Sequence, residues 1–174
     1  FYHFFCDYFV ETLKLISISK KEMKKRMIFH GVDLLERAVS EEGHNFVFLY
    51  LGHYCNWEWA ASLPYTISPS IHCAQIYHPL YNKAVDRFFL KLRNQFGGEC
   101  IPMKQTLRRV IELKKEKRPT ILGFISDQLP KWNSMHFFVP FLHRETAVFT
   151  GAEQIGRQVG AVYFFAEFTR PRRG

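Results

Sequence analysis

The sequence predicts an α/β fold, a mostly parallel central sheet flanked by helices and preceded by an N-terminal helical lead-in. From Asn45 onward, short runs rich in β-branched and aromatic residues alternate with longer stretches of helical spacing. Strands separated by helices of that length imply crossover connections, hence parallel pairing and a sheet covered on both faces. The strongest run, Asn45-Phe46-Val47-Phe48-Leu49-Tyr50-Leu51-Gly52, is apolar throughout and ends on glycine, as expected of a buried strand followed by a turn. With 174 residues, 47% of them hydrophobic and 17% aromatic, the chain has the core material of one folded domain.

Residues 1–18 carry Phe1, Phe5, Tyr8, Phe9, Thr12, Leu15 and Ile16 at helical spacing, a broad aromatic face suited to core packing more than to lying in a membrane. A second helix is expected from Lys21 to Val39, ended by Ser40-Glu41-Glu42-Gly43. The alternation then gives a strand near 46–51, a helix near 56–63, a strand near 71–77 and a helix near 82–96. It continues with a strand near 99–101, a helix near 104–117, a strand near 120–125, a helix near 150–159 and a strand near 161–168. No repeat or low-complexity linker divides the chain, so residues 1–174 read as a single domain. Its opening at Phe1 and its close at Arg170-Pro171-Arg172-Arg173-Gly174, with no capped element, are expected of a piece lacking N- and C-terminal segments of a longer protein.

Lysine and arginine exceed aspartate and glutamate by 24 to 16, a net charge of +8. The cations gather at Lys20-Lys21-Glu22-Met23-Lys24-Lys25-Arg26, between Arg108 and Arg118, and in the terminal arginines. Such a balance suits a nucleic acid, a phospholipid surface, an acidic carrier protein or a phosphorylated substrate, with a solvated helix face as the plain alternative. Nucleic acid is set aside because no recognition module is present and the basic residues are not interleaved with stacking aromatics. Cys6, Cys55, Cys73 and Cys100 are too widely spaced for a CxxC pair, so reduced thiols are the simplest reading. Neither a P-loop nor GxGxxG occurs, no signal peptide is visible, and no apolar run approaches the roughly 20 residues that span a bilayer.

His53-Tyr54-Cys55-Asn56-Trp57-Glu58 follows the buried run directly. Ligands of open α/β sheets bind on the loops beyond the carboxyl ends of the strands, where His53 falls. On one continuous helix, positions five apart lie about 140° around the axis. His53 must therefore stand in the turn and fold back for Glu58, at the start of the next helix, to reach it. In that arrangement Glu58 would fix the tautomer through one ring nitrogen while the other takes a proton from a substrate hydroxyl. Cys55 as a thiolate nucleophile lacks any further partner in the sequence. A metal set of His53, His72 and His78 lacks helical ligand spacing, so no metal is expected.

Gly52-His53-Tyr54-Cys55-Asn56-Trp57-Glu58 resembles the HxxxxD/E motif of the lysophospholipid acyltransferase superfamily, in the form typical of bacterial lipid A biosynthesis (late) acyltransferases. Ordered blocks extend the likeness over nearly the whole chain: Tyr77-His78-Pro79-Leu80-Tyr81-Asn82 through Asp86-Arg87, Arg93 before Phe96-Gly97-Gly98, Asp127-Gln128, Phe138-Val139-Pro140-Phe141 and Thr150-Gly151. His143-Arg144-Glu145 is more charged than the loop usual there, and the aromatic-rich start at Phe1 to Phe9 lacks the hydrophobic anchor that normally precedes it.

The resemblance implies an O-acyltransferase that moves a fatty acyl group from a thioester of acyl carrier protein or coenzyme A to a hydroxyl of a membrane lipid such as a lipid A precursor. His53 and Glu58 would be catalytic, and Arg93, Asn56, Asp127 and Gln128 would bind substrate. Arg93 would hold a headgroup phosphate, and it or backbone N–H groups near Asn56 would stabilise the oxyanion. No cofactor is implied beyond the acyl thioester. The partners would be the acyl donor, the lipid acceptor and an anionic membrane surface, at the cytoplasmic face of the bacterial inner membrane, peripheral or held by an anchor upstream. A glycerolipid, aminolipid or glycolipid acceptor, or a non-catalytic lipid-binding role, remains compatible with these residues. Loss of either His53 or Glu58 is expected to abolish transfer and spare the fold.

Overall fold

The computed structural model describes residues 2–41 and 44–171. The features expected at Phe1, Glu42-Gly43 and Arg172-Arg173-Gly174 lie outside the described residues. Five parallel strands form the main sheet: β1 (Phe46–Leu51), β2 (His72–Tyr77), β3 (Glu99–Pro102), β4 (Thr120–Ile125) and, last in the chain, β7 (Val162–Phe165). Their spatial order is β3-β2-β4-β1-β7. β5 (Phe138–Phe141) and β6 (Arg144–Ala147) make a separate antiparallel hairpin. The α/β class and parallel pairing expected from the sequence are those found.

The N-terminal helix α1 (Tyr2–Lys14) is followed by α2 (Lys20–Arg26) and α3 (Val32–Ser40) where one helix was expected. Met27 is extended, and Gly31 takes φ +73°, a left-handed conformation that glycine adopts without steric cost. The Ser19 side chain caps α2 by accepting from the Glu22 N–H. The segment expected as an α-helix near 56–63 is a 3-10 helix over Trp57–Tyr65. Pro64 lacks the N–H that an α-helical bond would need, and the hydroxyls of Ser62 and Thr66 donate to carbonyls three residues back. α4 (Lys83–Asn94) is capped by Asn82, whose side-chain oxygen accepts from the N–H groups of Ala84 and Val85. α5 (Thr106–Lys115) and α6 (Gly151–Val159) complete the α-helices among the described residues, α6 ending on left-handed Gly160.

The sheet divides two apolar layers. On one face Val47, Leu49, Cys73 and Ile121 pack with Leu35 and Val39 of α3 and with Leu63 of the 3-10 helix. On the other, Phe46, Phe48, Leu122 and Phe124 pack with Val110 and Leu113 of α5 and with Ile155 and Val159 of α6. Successive residues of β1 thus enter opposite layers, which explains why the run is apolar throughout. Leu15, Met23, Leu92 and Phe96 form a third cluster joining the N-terminal helices to α4, with Trp59 and Tyr65 against it.

The strand order opens a crevice. β1 leaves through the 3-10 helix, which packs on one face, toward β2; β4 leads through α6, packed on the other face, toward β7. Neighbouring strands whose connections part to opposite faces leave a gap at their carboxyl ends, where ligands of such sheets bind.

Candidate active site

The β1–β4 register pairs Leu51 with Ile125, so His53 and Asp127 each stand two residues beyond a matched pair of strand ends. They meet there. The His53 backbone N–H donates to Asp127 Oδ2 at 2.8 Å, and ring Nδ1 lies 2.5 Å from Oδ1. With a carboxylate as acceptor, Nδ1 carries the proton and Nε2 keeps its lone pair. The ring is packed edge-on to Trp57, centroids 4.9 Å apart, and Trp57 stacks on Tyr8 of α1 at 4.7 Å.

Burial pushes the Asp127 carboxyl up, but the two hydrogen bonds from His53 outweigh it and hold the group below the usual aspartate value. A depressed folded-state value gives a stabilisation present above the unfolded value and lost as pH falls through the folded one. Asp127→Asn is therefore expected to weaken the protein at neutral pH while reducing its further loss of stability in acid. Denaturation followed across pH 2–7 checks this; an unaltered acid profile would count against it.

Glu58 is 5% exposed and does not supply the expected hydrogen bond to His53. Its two carboxylate oxygens accept from Arg93 of α4, Oε2 from Nε at 2.7 Å and Oε1 from Nη2 at 2.6 Å. The physical reason is direction: Glu58 lies in the first turn of the 3-10 helix and faces α4, while His53 is held toward β4 by Asp127. Burial opposes the charge on Arg93, but Glu58 more than compensates, and the guanidinium lies 5.5 Å from the centre of the Phe89 ring. The fork assigned from the sequence to a lipid phosphate is thus engaged by Glu58.

A model of the bacterial lipid A biosynthesis acyltransferase family matches residues 2–167. The chain belongs to that family. Comparison with curated proteins finds no match. In this lipid A biosynthesis-type acyltransferase, no helix among the described residues is long and apolar enough to cross a membrane.

The other residues singled out from the acyltransferase sequence have separate places. Asn56 is buried, donates through Nδ2 to the Tyr8 carbonyl at 3.4 Å and leaves Oδ1 with no hydrogen-bond partner among the described residues. Gln128 is exposed beside Asp127. His72 Nε2 lies 2.7 Å from Glu99 and His78 Nδ1 lies 3.0 Å from the Pro79 carbonyl, so neither joins His53. Trp57 and Tyr8 were not singled out as site residues; the aromatic interleaved in the motif was the available signal for Trp57, whereas Tyr8 had only its helical spacing.

Burial raises the thiols of Cys55 and Cys100, and pushes Cys73 up to about 12. Those shifts disfavour thiolate chemistry at Cys55. Cys55→Ala is expected to keep acyl transfer within about threefold of wild type, since no nucleophile is lost. Iodoacetamide at neutral pH should label exposed Cys6 far faster than Cys73, as peptide mass spectrometry of the folded protein would read.

Proposed function

We propose that the protein is an O-acyltransferase in which His53 Nε2 takes the proton of an acceptor hydroxyl as the hydroxyl oxygen attacks the carbonyl of an acyl thioester. The ester C–O bond forms, the C–S bond breaks, and the imidazolium returns the proton to the departing sulfur, giving an ester and a free thiol. The observation that supports this most directly is the His53 Nδ1–Asp127 Oδ1 contact of 2.5 Å at the crevice between β1 and β4. It orients the ring, fixes the tautomer and stabilises the imidazolium, the task first assigned to Glu58. Glu58 and Arg93 act by position, bracing the 3-10 helix that presses Trp57 against the His53 ring.

The donor is an acyl carrier protein or coenzyme A thioester, and the acceptor a hydroxyl of a lipid A precursor at the cytoplasmic face of the bacterial inner membrane. A groove of about 1560 Å³ runs between α1, α3, the 3-10 helix and the sheet, with Leu35, Leu49, Leu51, Leu63 and Phe164 among its apolar walls. Its size and walls suit a fatty acyl chain. The basic surface suits both an acidic carrier and anionic lipid.

The test is mass spectrometry of membrane lipids from cells lacking the gene, cells carrying it, and cells carrying the His53→Ala form. One lipid A species short by a single acyl chain in the first and third strains, restored in the second, is the expected result. A shortfall confined to a glycerolipid or aminolipid would reassign the acceptor, and restoration by His53→Ala would overturn the mechanism.

A further inference from the structure

The chain that leaves β4 immediately after Asp127 carries six large apolar side chains in the open: Leu129, Trp132, Phe137, Phe138, Phe141 and Leu142. Trp132 is 88% exposed and Leu142 77%. Phe141 pairs with Arg144, so Leu142 and His143 form a two-residue hairpin loop, with φ of +50° and +62°. Turns with two left-handed residues are ordinarily built from Asn-Gly or Asp-Gly, because a branched apolar side chain there meets its own backbone. A leucine at this tip carries a steric cost, and with 77% of its surface open, packing within the protein does little to offset it.

Much of the rest of the hairpin is open too, with only Ala147 at its far end buried. β5 has three exposed residues of four, and a pair of strands standing alone is marginal in water. Between Gln128 and Phe149 the cations are Lys131 and Arg144, with His136 and His143 beside them, and Glu145 is the sole acid. Tryptophan and phenylalanine at a protruding edge, flanked by cations, are the chemistry of an interfacial segment facing anionic headgroups. An acidic carrier protein would be met by a surface in which cations prevail, whereas here two cations accompany six apolar side chains.

We propose that the 129–144 segment is the membrane-seating element of this protein, with Trp132, Phe141 and Leu142 entering the headgroup layer of an anionic bilayer and Lys131 and Arg144 at the phosphates. Because the segment springs from the strand end that carries Asp127, it sets the His53–Asp127 pair beside the surface that holds the acceptor. This rests on the reading that the acceptor is a bilayer lipid.

The experiment uses the full-length protein reconstituted with vesicles of phosphatidylethanolamine and phosphatidylglycerol, some carrying brominated acyl chains that quench nearby tryptophan. The wild type is expected to lose tryptophan emission, and Trp132→Phe to abolish most of that quenching, even if another segment holds the protein on the vesicle. A second variant, Leu142→Asn with His143→Gly, supplies the residues the turn favours. It should melt at or above the wild-type temperature, yet show less quenching of Trp132 and slower acyl transfer to acceptor in vesicles, with transfer to detergent-dispersed acceptor retained. Unchanged quenching in Trp132→Phe, or quenching of the turn variant equal to wild type, overturns the proposal, as does loss of carrier-protein binding by the turn variant with its vesicle behaviour intact. Should no thioester support transfer while the quenching differences hold, the acyltransferase reading fails and the docking surface stands.

Discussion

Alanine in place of His53 is expected to lower acyl transfer by about 10²–10⁴-fold, the usual contribution of a positioned general base. Melting should fall only by the modest amount that the Nδ1–Asp127 bond contributes, because the ring stands at a partly exposed strand end and its loss opens no core cavity. Asp127→Asn should fall in the same direction, since an amide can present its N–H to Nδ1 and favour the wrong tautomer. The two act as a unit, so the double variant should be little slower than His53→Ala alone. Single-turnover transfer in the full-length protein, read with thermal unfolding, separates these outcomes. A His53→Ala rate near wild type would remove the base, and multiplicative losses in the double variant would show that Asp127 works independently of the ring.

The second large effect is on stability. Glu58→Ala leaves the Arg93 guanidinium in its half-closed site without its carboxylate, and Arg93→Ala strands a carboxylate on a side chain that is 4% exposed. Removing one partner of a buried pair costs about 3–5 kcal/mol, while replacing both by apolar residues of similar volume is often close to neutral. Each single variant should therefore unfold at markedly lower denaturant, and Glu58→Met with Arg93→Leu should recover much of the loss. Activity of that double variant tests the role assigned to the pair. Recovered transfer supports positioning through Trp57; a stable but inactive protein would show that the Glu58 charge takes part in the chemistry. Single-variant losses under about 1 kcal/mol would place the pair among ordinary surface bridges.

The sheet was legible because β1 repeats nothing but apolar residues and because helices of crossover length separate the strands. The position of His53 in a turn beyond a strand was legible for the same reason. Its partner was not. Asp127 lies 74 residues away, and only the register of β1 against β4 brings the two strand ends level. Glu58 was placed beside His53 by nearness in sequence, whereas its charge is met by Arg93, 35 residues on and carried by another helix. The same contact is what sets the stability loss expected of Glu58→Ala against the expectation that removing Glu58 spares the fold. The β5–β6 hairpin escaped notice because Leu142-His143 carries no turn signature and Pro140 argues against a strand. The break between α2 and α3 rests on one glycine in a pattern that otherwise continues.

Parallel pairing of β1 with β4 has a consequence for assembly. Both halves of the His53–Asp127 contact are set by a strand junction closed only after two intervening strands, two α-helices and two 3-10 segments have been made. A chain emerging from the ribosome therefore holds an unoriented imidazole until its residues near 127 have docked. Any later opening of β4 would part Asp127 from His53, tying the orientation of the imidazole to closure of the sheet's centre.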